Sequence, residues 1–302
     1  QPWIDKQGRL HAPLEGDKEL DQEGAPEPPE GVVRSQNLRS EYPYGAASFA
    51  KGEDCYRKDI QGTGGKVNVI ATKHITEVFP KDIPVYTAAT WSNDLERRMA
   101  EEQGMPTAAA IYEHELRSRG VENPIIRVDQ EDITNSLEMV MATIKAVGAN
   151  PDLKNAVALT ERYHVPRANA FLKVCGMGED GQIQDWIFEN WEKKTGKKLL
   201  TYEYRELVRS LNERGVKIRI VGSEDIMDQV DRNKVDAGTI PRYRSVLNLI
   251  YPPKLSRQQF EIMSPEQQQD WIERVNSLKA RLEIEGRGVA QIKDRTYWAP
   301  QK

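Results

Sequence analysis

The stretch Ala156-Val157-Ala158-Leu159-Thr160 decides the fold class of this chain. It is a short, uninterrupted apolar run, as is typical of strands that are buried on both faces of a parallel sheet. The segment Glu161–Ala168 follows it and contains Pro166, a residue that is tolerated in the first turn of a helix. The stretch therefore predicts a strand that leads directly into a helix, which is the repeating unit of an α/β fold.

The same alternation extends along the chain in both directions. Short apolar runs predict further strands, and stretches with helical spacing and capping residues separate them. The predicted strands are residues 67–71, 84–88, 124–128, 156–160 and 217–221. Strands joined through helices run parallel and are connected by right-handed crossovers. We therefore expect an α/β fold with a Rossmann-like open parallel sheet.

Composition divides the chain into three parts. Residues 1–65 are rich in proline, glycine and acidic residues and predict an extended N-terminal arm, anchored by aromatic side chains, without a core of its own. Residues 66–225 form the predicted α/β domain, with a helical insertion at about 176–214. Residues 226–302 are predicted to be a helical C-terminal extension, in which Ser264–Gln267 form a capping box.

The last predicted helix carries a narrow apolar stripe, made of Trp271, Val275, Leu278 and Leu282. Spacings of four, three and four residues are typical of a helix that packs on one partner. That partner is either the chain's own α/β core or a second subunit. We expect the arm and this helix to be the surfaces through which the chain meets a protein partner or a second copy of itself.

Charge and hydropathy exclude two classes of protein. The chain has 302 residues with 43 basic and 47 acidic side chains, so a net charge of −4 gives no overall attraction to nucleic acid. Hydrophobic residues make up 38%, and no apolar run approaches the ~18 residues that a membrane-spanning helix needs. We expect neither a nucleic-acid-binding protein nor a membrane-spanning one.

Cysteine and histidine spacing predicts no metal site, and no motif predicts a cofactor. Cys55 and Cys175 are the only cysteines, and they either pair in an oxidising compartment or remain two separate buried thiols. The sequence begins Gln1-Pro2-Trp3 without a charged and apolar leader. This start favours an exported protein after signal removal, and a tag-cleaved or incomplete sequence is the alternative.

The segment Thr160–Ala168 is the candidate functional site. Ligands of open α/β sheets bind where the carboxyl ends of strands meet helix amino termini, and the free N–H groups there attract anions. His164 could hold or transfer a proton, and Arg167 could clamp a phosphate or a carboxylate. The alternative is that both residues only cap the helix and pin the loop.

The segment Tyr163–Ala168 resembles the His-x-x-Arg-Ala signature of the SanA/ElyC/YdcF-like proteins, a bacterial family of poorly defined function with several members in the cell envelope. Leu116–Val121, Pro124–Asp129 and Thr134–Glu138 resemble further family elements in the same order, so the resemblance covers about residues 66–225. It implies catalytic roles for His164, Arg167 and Asp129. It also implies Thr134 and Arg167 as anion-binding residues. Thr87 and Thr90 join this set because they lie at the carboxyl end of a predicted parallel strand, on the same edge of the sheet.

The sequence departs from the family at its glycines and acidic residues. Thr87–Thr90 stands where the family has Ser-Gly-Gly, and the added side chains crowd the approach of a ligand to the backbone. Thr107–Ala110 lacks the glutamate of the family's Ser-Glu-Ala helix start. The carboxylate of the Thr-x-Glu-Asn element corresponds to Ser136 without a gap, or to Glu138 with a shift.

Two functional hypotheses follow from these residues. In the first, the chain is an exported or envelope-associated structural or interaction subunit with a degenerate anion-binding pocket. In the second, it is an envelope enzyme that acts on a phosphate-containing substrate, lipid-linked or nucleotide-like, with His164 as the acid/base and Arg167 as the anion clamp. What lies in front of His164 discriminates between them.

Overall fold

A computed structural model describes residues 3–4, 10–11, 41–46, 60–88, 107–128, 133, 135–227 and 251–299. Its strands are β1 (Trp3–Ile4), β2 (Leu10–His11), β3 (Glu41–Ala46), β4 (Val85–Ala88), β5 (Ile125–Arg127), β6 (Asn155–Thr160) and β7 (Lys217–Gly222). Its helices are α1 (Ile60–Val78), α2 (Ala108–Ser118), α3 (Ser136–Gly148), α4 (Val165–Val174), α5 (Asp185–Thr195), α6 (Tyr202–Glu213), α7 (Ser223–Met227), α8 (Arg257–Glu261) and α9 (Pro265–Lys293).

Five strands form one parallel sheet in the order β5-β4-β3-β6-β7. In chain order, β3 is the first strand of this sheet and lies at its centre. Strands β4 and β5 follow on one side of β3, and β6 and β7 lie on the other side. The register places Leu159 of β6 between Gly45 of β3 and Val221 of β7. The expected α/β class and the strands predicted near 84–88, 124–128, 156–160 and 217–221 are confirmed.

The predicted strand at residues 67–71 is wrong, because these residues lie within helix α1. Val67, Val69 and Ala71 are fully buried, and so are the residues between them. A short apolar run that is buried on every side shows no periodicity that could separate a strand from a helix. Tertiary packing, which the sequence pattern does not show, determines that this segment is helical.

The predicted N-terminal arm also needs correction. Glu41–Ala46 forms the central strand of the sheet, and the predicted boundary at residue 65 falls inside α1. Pro43 lacks an N–H group, yet β4 pairs with β3 only from Tyr44 onward, so no β4 residue lies opposite the proline. The sheet of the α/β domain therefore includes residues of the predicted arm, from Glu41 onward. Residues 12–40 lie outside the described part of the chain.

Helices cover the sheet in two groups. Helix α1 contacts α2 and α7, whereas α3 contacts α4 and α6. Strand β6 is buried along its whole length, as is expected when helices cover both faces. Ile144 of α3 and Phe171 of α4 are fully buried in the core next to Leu159. This packing fixes the start of α4 at the carboxyl end of β6.

The C-terminal helix α9 begins at the predicted capping box. The Ser264 hydroxyl accepts from the Gln267 N–H at 3.3 Å, and the Gln267 amide oxygen accepts from the Ser264 N–H at 3.0 Å. The second half of α9 packs on α4 and buries Glu285, Gly288 and Ile292. No helix in the described part of the chain has the length and apolar character that crossing a membrane requires.

The apolar stripe of α9 is only half-buried. Its first residue, Trp271, contacts the segment just before it, because the indole N–H donates to the Pro253 carbonyl at 3.0 Å and the ring packs edge-on against Phe260. The stripe is therefore separate from the buried residues, such as Glu285, that hold α9 to the domain.

We predict that Ile144→Ala lowers the free energy of unfolding by about 2–5 kcal/mol, because it leaves a cavity in the core between α3 and the sheet. Ile126→Ala, the same change at a side chain that is 43% exposed, should cost less than about 1 kcal/mol. Urea unfolding of both variants measures the difference. Equal losses would contradict the placement of the core.

Candidate functional site

The structure places His164 and Arg167 at the start of α4, directly after the carboxyl end of β6. His164 occupies the N-cap position but makes no side-chain capping hydrogen bond, so its imidazole is available for other contacts. Three of the predicted site residues, Thr90, Asp129 and Thr134, lie outside the described residues. The described part of the site therefore consists of His164, Arg167 and the groups that contact them.

His164 and Arg167 form the predicted anion clamp, and the anion that it holds comes from the chain itself. Glu285 of α9 places its Oε2 atom 2.8 Å from Arg167 Nε and 3.1 Å from His164 Nδ1. The Glu285 side chain is only 10% exposed, so its carboxylate is held away from bulk water. The structure thus shows what lies in front of His164: it is a carboxylate of the chain itself.

The contacts of His164 orient its ring. A carboxylate only accepts hydrogen bonds, so the contact with Glu285 calls for a proton on Nδ1. The other ring nitrogen, Nε2, lies 3.5 Å from the Ser136 hydroxyl oxygen. Ser136 is the first residue of α3, and the Asn135 side chain caps this helix by accepting from the N–H groups of Leu137 and Glu138. The order hydroxyl, imidazole, carboxylate can in principle activate a serine as a nucleophile.

Space beside His164 is small in this conformation. A cavity of about 40 Å³ adjoins His164 and is lined by Ser136, Thr143 and Thr160 together with apolar side chains. A site for a small organic ligand usually needs ~300–1,000 Å³. This cavity can hold water molecules, but it has no room for a nucleotide or a lipid headgroup.

Gly288 explains how α9 comes so close to Arg167. A Cβ atom at this position would lie 2.7 Å from Arg167 Cδ, which is closer than real side chains approach each other. Gly286 is different, because a Cβ atom there would meet nothing within 4 Å. Sequence reasoning missed Glu285 as a site residue, although two glycines on either side of Arg287 in a helical pattern are an available signal.

A second buried cluster lies at the carboxyl end of β7. Glu224 is fully buried and accepts from the Arg162 backbone N–H at 2.8 Å and from the Tyr251 hydroxyl at 2.8 Å. Burial raises the pKa of Glu224 to about 7, and the nearby Glu161 adds to the rise. Burial also raises the pKa of Tyr251. The cluster fixes Tyr251, where the described part of the C-terminal segment begins.

Two further contacts hold the C-terminal segment to the domain. Arg281 of α9 donates to the Tyr163 hydroxyl at 3.0 Å, and burial raises the pKa of that phenol. Beyond α9, the Trp298 ring lies 4.5 Å from the Trp191 ring, centre to centre. The Tyr297 ring packs edge-on against Phe171 at 5.3 Å. The carboxylate in the clamp is therefore one of several contacts that position this segment.

Thr87 and Cys175 do not belong to the clamp. Thr87 is 1% exposed, and its hydroxyl has no hydrogen-bond partner among the described residues, so its role in anion binding stays a prediction. Cys175 is a buried free thiol, and burial raises its pKa to about 12. Cys55 lies outside the described residues. Among those that are described, no cluster of histidine, cysteine and acidic side chains could hold a metal ion.

The two glycines of α9 give a matched pair of substitutions with opposite expected signs. Gly286→Ala should raise the free energy of unfolding by up to about 1 kcal/mol, because alanine favours the helix and its methyl group meets open space. Gly288→Ala should lower it by about 1–2 kcal/mol, because the methyl group displaces Arg167 from Glu285. Urea unfolding measures both changes. Stabilisation by Gly288→Ala would contradict the close approach of α9 to the clamp.

Glu224 should make stability depend on pH. Its pKa is raised from 4.5 to about 7 in the folded state, so between these values the folded protein binds more protons than the unfolded chain. The free energy of unfolding should therefore fall by about 3 kcal/mol as the pH rises through this window, and the contribution is constant outside it. Urea unfolding from pH 4 to 8 measures the slope.

Glu224→Gln should remove this part of the pH slope, because the amide does not titrate. Glu179→Gln is the matched control, since Glu179 is exposed and its replacement should leave the slope as in the wild type. A wild-type slope in Glu224→Gln would contradict the raised pKa of the buried carboxyl.

Comparison of the chain with models of protein families, with curated proteins and with solved structures finds no match. The resemblance to the SanA/ElyC/YdcF-like family stays a prediction.

Proposed function

We propose that this chain is a structural or interaction protein, built on a Rossmann-like open sheet, in which the anion-binding clamp serves to fasten its own C-terminal helix. One observation carries the proposal, namely the contact of Glu285 with Arg167 Nε at 2.8 Å and with His164 Nδ1 at 3.1 Å. The carboxylate neutralises the guanidinium and occupies the hydrogen-bonding position of the imidazole Nδ1 atom. Both groups that would bind and protonate a substrate are therefore engaged within the chain.

The surface of α9 supports a role in protein interaction. Ile272 is 38% exposed, and Leu282 and Ile284 are each 50% exposed, although all three are large apolar side chains on one helix. They lie on different sides of the helix, so they are separate apolar positions at which a partner could contact α9. The clamp holds this helix in a fixed position, from which it can present these residues to a protein partner or to a second copy. The family resemblance extends the proposal to an exported, envelope-associated location.

The proposal predicts that Glu285→Gln loosens the C-terminal helix. It also predicts that the wild type and the variant do not catalyse phosphate ester hydrolysis. The variant should lose about 2 kcal/mol of unfolding free energy, because a neutral amide leaves the largely buried Arg167 without its counter-charge. Glu283→Gln, two residues away on the exposed side of α9, should change it by less than about 0.5 kcal/mol. Urea unfolding and p-nitrophenyl phosphate hydrolysis measure the two properties.

Hydrolysis of p-nitrophenyl phosphate should proceed at the same background rate in the wild type and in His164→Ala. Catalysed turnover that disappears in His164→Ala would contradict the structural proposal. An unchanged stability of Glu285→Gln would contradict the fastening role of the clamp.

A second candidate function is an envelope enzyme that acts on a phosphate-containing substrate. The observation that favours it is the Ser136 hydroxyl, which lies 3.5 Å from His164 Nε2 beside the small cavity. In this function His164 would accept the serine proton while Glu285 orients the ring. Turnover that is lost in both Ser136→Ala and His164→Ala would identify this function.

A further inference from the structure

We infer that the clamp is an exchangeable anion site: a phosphate group from solution displaces the Glu285 carboxylate from His164 and Arg167 and releases the second half of α9. The inference rests on the proposed function, in which the clamp fastens the C-terminal helix through Glu285. It adds that this internal ligand competes with an external one, so the position of the C-terminal helix depends on the anion that is bound.

The fit of Glu285 to the clamp is incomplete. Arg167 Nε is buried and lies 2.8 Å from Glu285 Oε2, yet among the described residues it has no acceptor in line with its N–H bond. The contact is thus a charge pair without a well-aligned hydrogen bond. Because a buried donor gains most from an aligned acceptor, the site favours a ligand with better-placed oxygens.

A phosphate group has the oxygens that a carboxylate lacks. The contacts of Glu285 with Arg167 and with His164 both go to the same oxygen atom, Oε2. The planar guanidinium offers several N–H donors in a fork, and His164 Nδ1 offers a further one. A tetrahedral phosphate can place separate oxygens on Arg167 Nε, on Arg167 Nη2 and on the imidazole. Its charge of between −1 and −2 near neutral pH also exceeds that of one carboxylate.

Two glycines lower the helix propensity of α9 next to Glu285, in the turn that has to open when the carboxylate leaves the clamp. Gly286 directly follows Glu285, is exposed, and borders open space, so no packing contact requires a glycine there. Gly288 lies two residues further on and is required by the contact with Arg167. Glycine in a helix interior disfavours the helix, and two of them make this turn of α9 the easiest to open.

The clamp adjoins a cavity, which could take part in binding a ligand that replaces Glu285. His164 borders the small cavity together with Ser136 and Thr160, which lie at the start of α3 and at the end of β6. Glu285 covers Nδ1 of His164, so movement of the second half of α9 would expose the imidazole beside the cavity. The site would then accept inorganic phosphate or the phosphate group of a larger ester.

Isothermal titration with inorganic phosphate, at constant ionic strength set with chloride, tests the competition. Glu285→Gln should bind phosphate at least tenfold more tightly than the wild type, because its amide is a weak competitor for the clamp. Glu283→Gln should bind as the wild type does. The double variant Glu285→Gln with Arg167→Gln should lose the binding, whereas Glu285→Gln with Lys173→Gln, which changes an exposed cation of α4, should keep it.

Hydrogen–deuterium exchange of the wild-type protein tests the release of the helix and does not depend on how any variant folds. Residues 281–293 should exchange faster when phosphate binds, and the rest of the α/β domain should exchange as before. Equal phosphate affinities of the wild type and Glu285→Gln overturn the inference, and so does phosphate binding without faster exchange in α9. Neither result affects the fastening role, which the stability of Glu285→Gln tests without phosphate.

Discussion

A carboxylate that is nine-tenths buried has to be neutralised, and the Arg167 guanidinium does this for Glu285. The pair adds little net stability if desolvation offsets the attraction between the two charges, but removal of either partner leaves the other charge uncompensated. The pair therefore fixes where α9 lies more than how strongly it is bound. The close approach of α9 to Arg167 and the contact at His164 Nδ1 both depend on it.

The strength of this docking comes from the apolar contacts around the pair. Ile292 is buried beside Gly288, and the rings of Tyr297 and Trp298 pack on the aromatic side chains of α4 and α5. The hydrogen bond from Arg281 to Tyr163 sets the rotation of the helix at a second point. Apolar burial supplies the free energy, and polar contacts select one register among the ways in which a long helix could lie on the domain.

Sequence reasoning succeeded where the pattern is local. Strand β6 contains a continuous apolar run, β7 alternates Lys217 and Arg219 with apolar residues, and the capping box at Ser264 is formed by residues three positions apart. It failed at Val67–Ala71, because complete burial removes the periodicity that identifies a helix. It also missed β3, since a strand in the middle of a parallel sheet gains its stability from partners far away in sequence.

The candidate site shows the same division between local and distant information. His164 and Arg167 are three residues apart and were predicted together from one strand and one helix start. Glu285 lies 121 residues from His164, and in the sequence of α9 the apolar stripe is the visible pattern, whereas no spacing distinguishes this carboxylate from its neighbours. Which anion fills a clamp is a property of tertiary structure, so sequence reasoning identified the clamp without its ligand.

Closure of a site by the chain's own carboxylate has a consequence for the chemistry of His164. With Glu285 in place, Nδ1 of the imidazole contacts the carboxylate and Nε2 faces Ser136. If the carboxylate leaves, Nδ1 loses this acceptor and lies 3.3 Å from a guanidinium nitrogen. A phosphate group in the same place restores the negative charge and the acceptor. The contacts of His164 thus follow the occupant of the clamp, and the position of α9 and the surroundings of the imidazole are two results of one equilibrium.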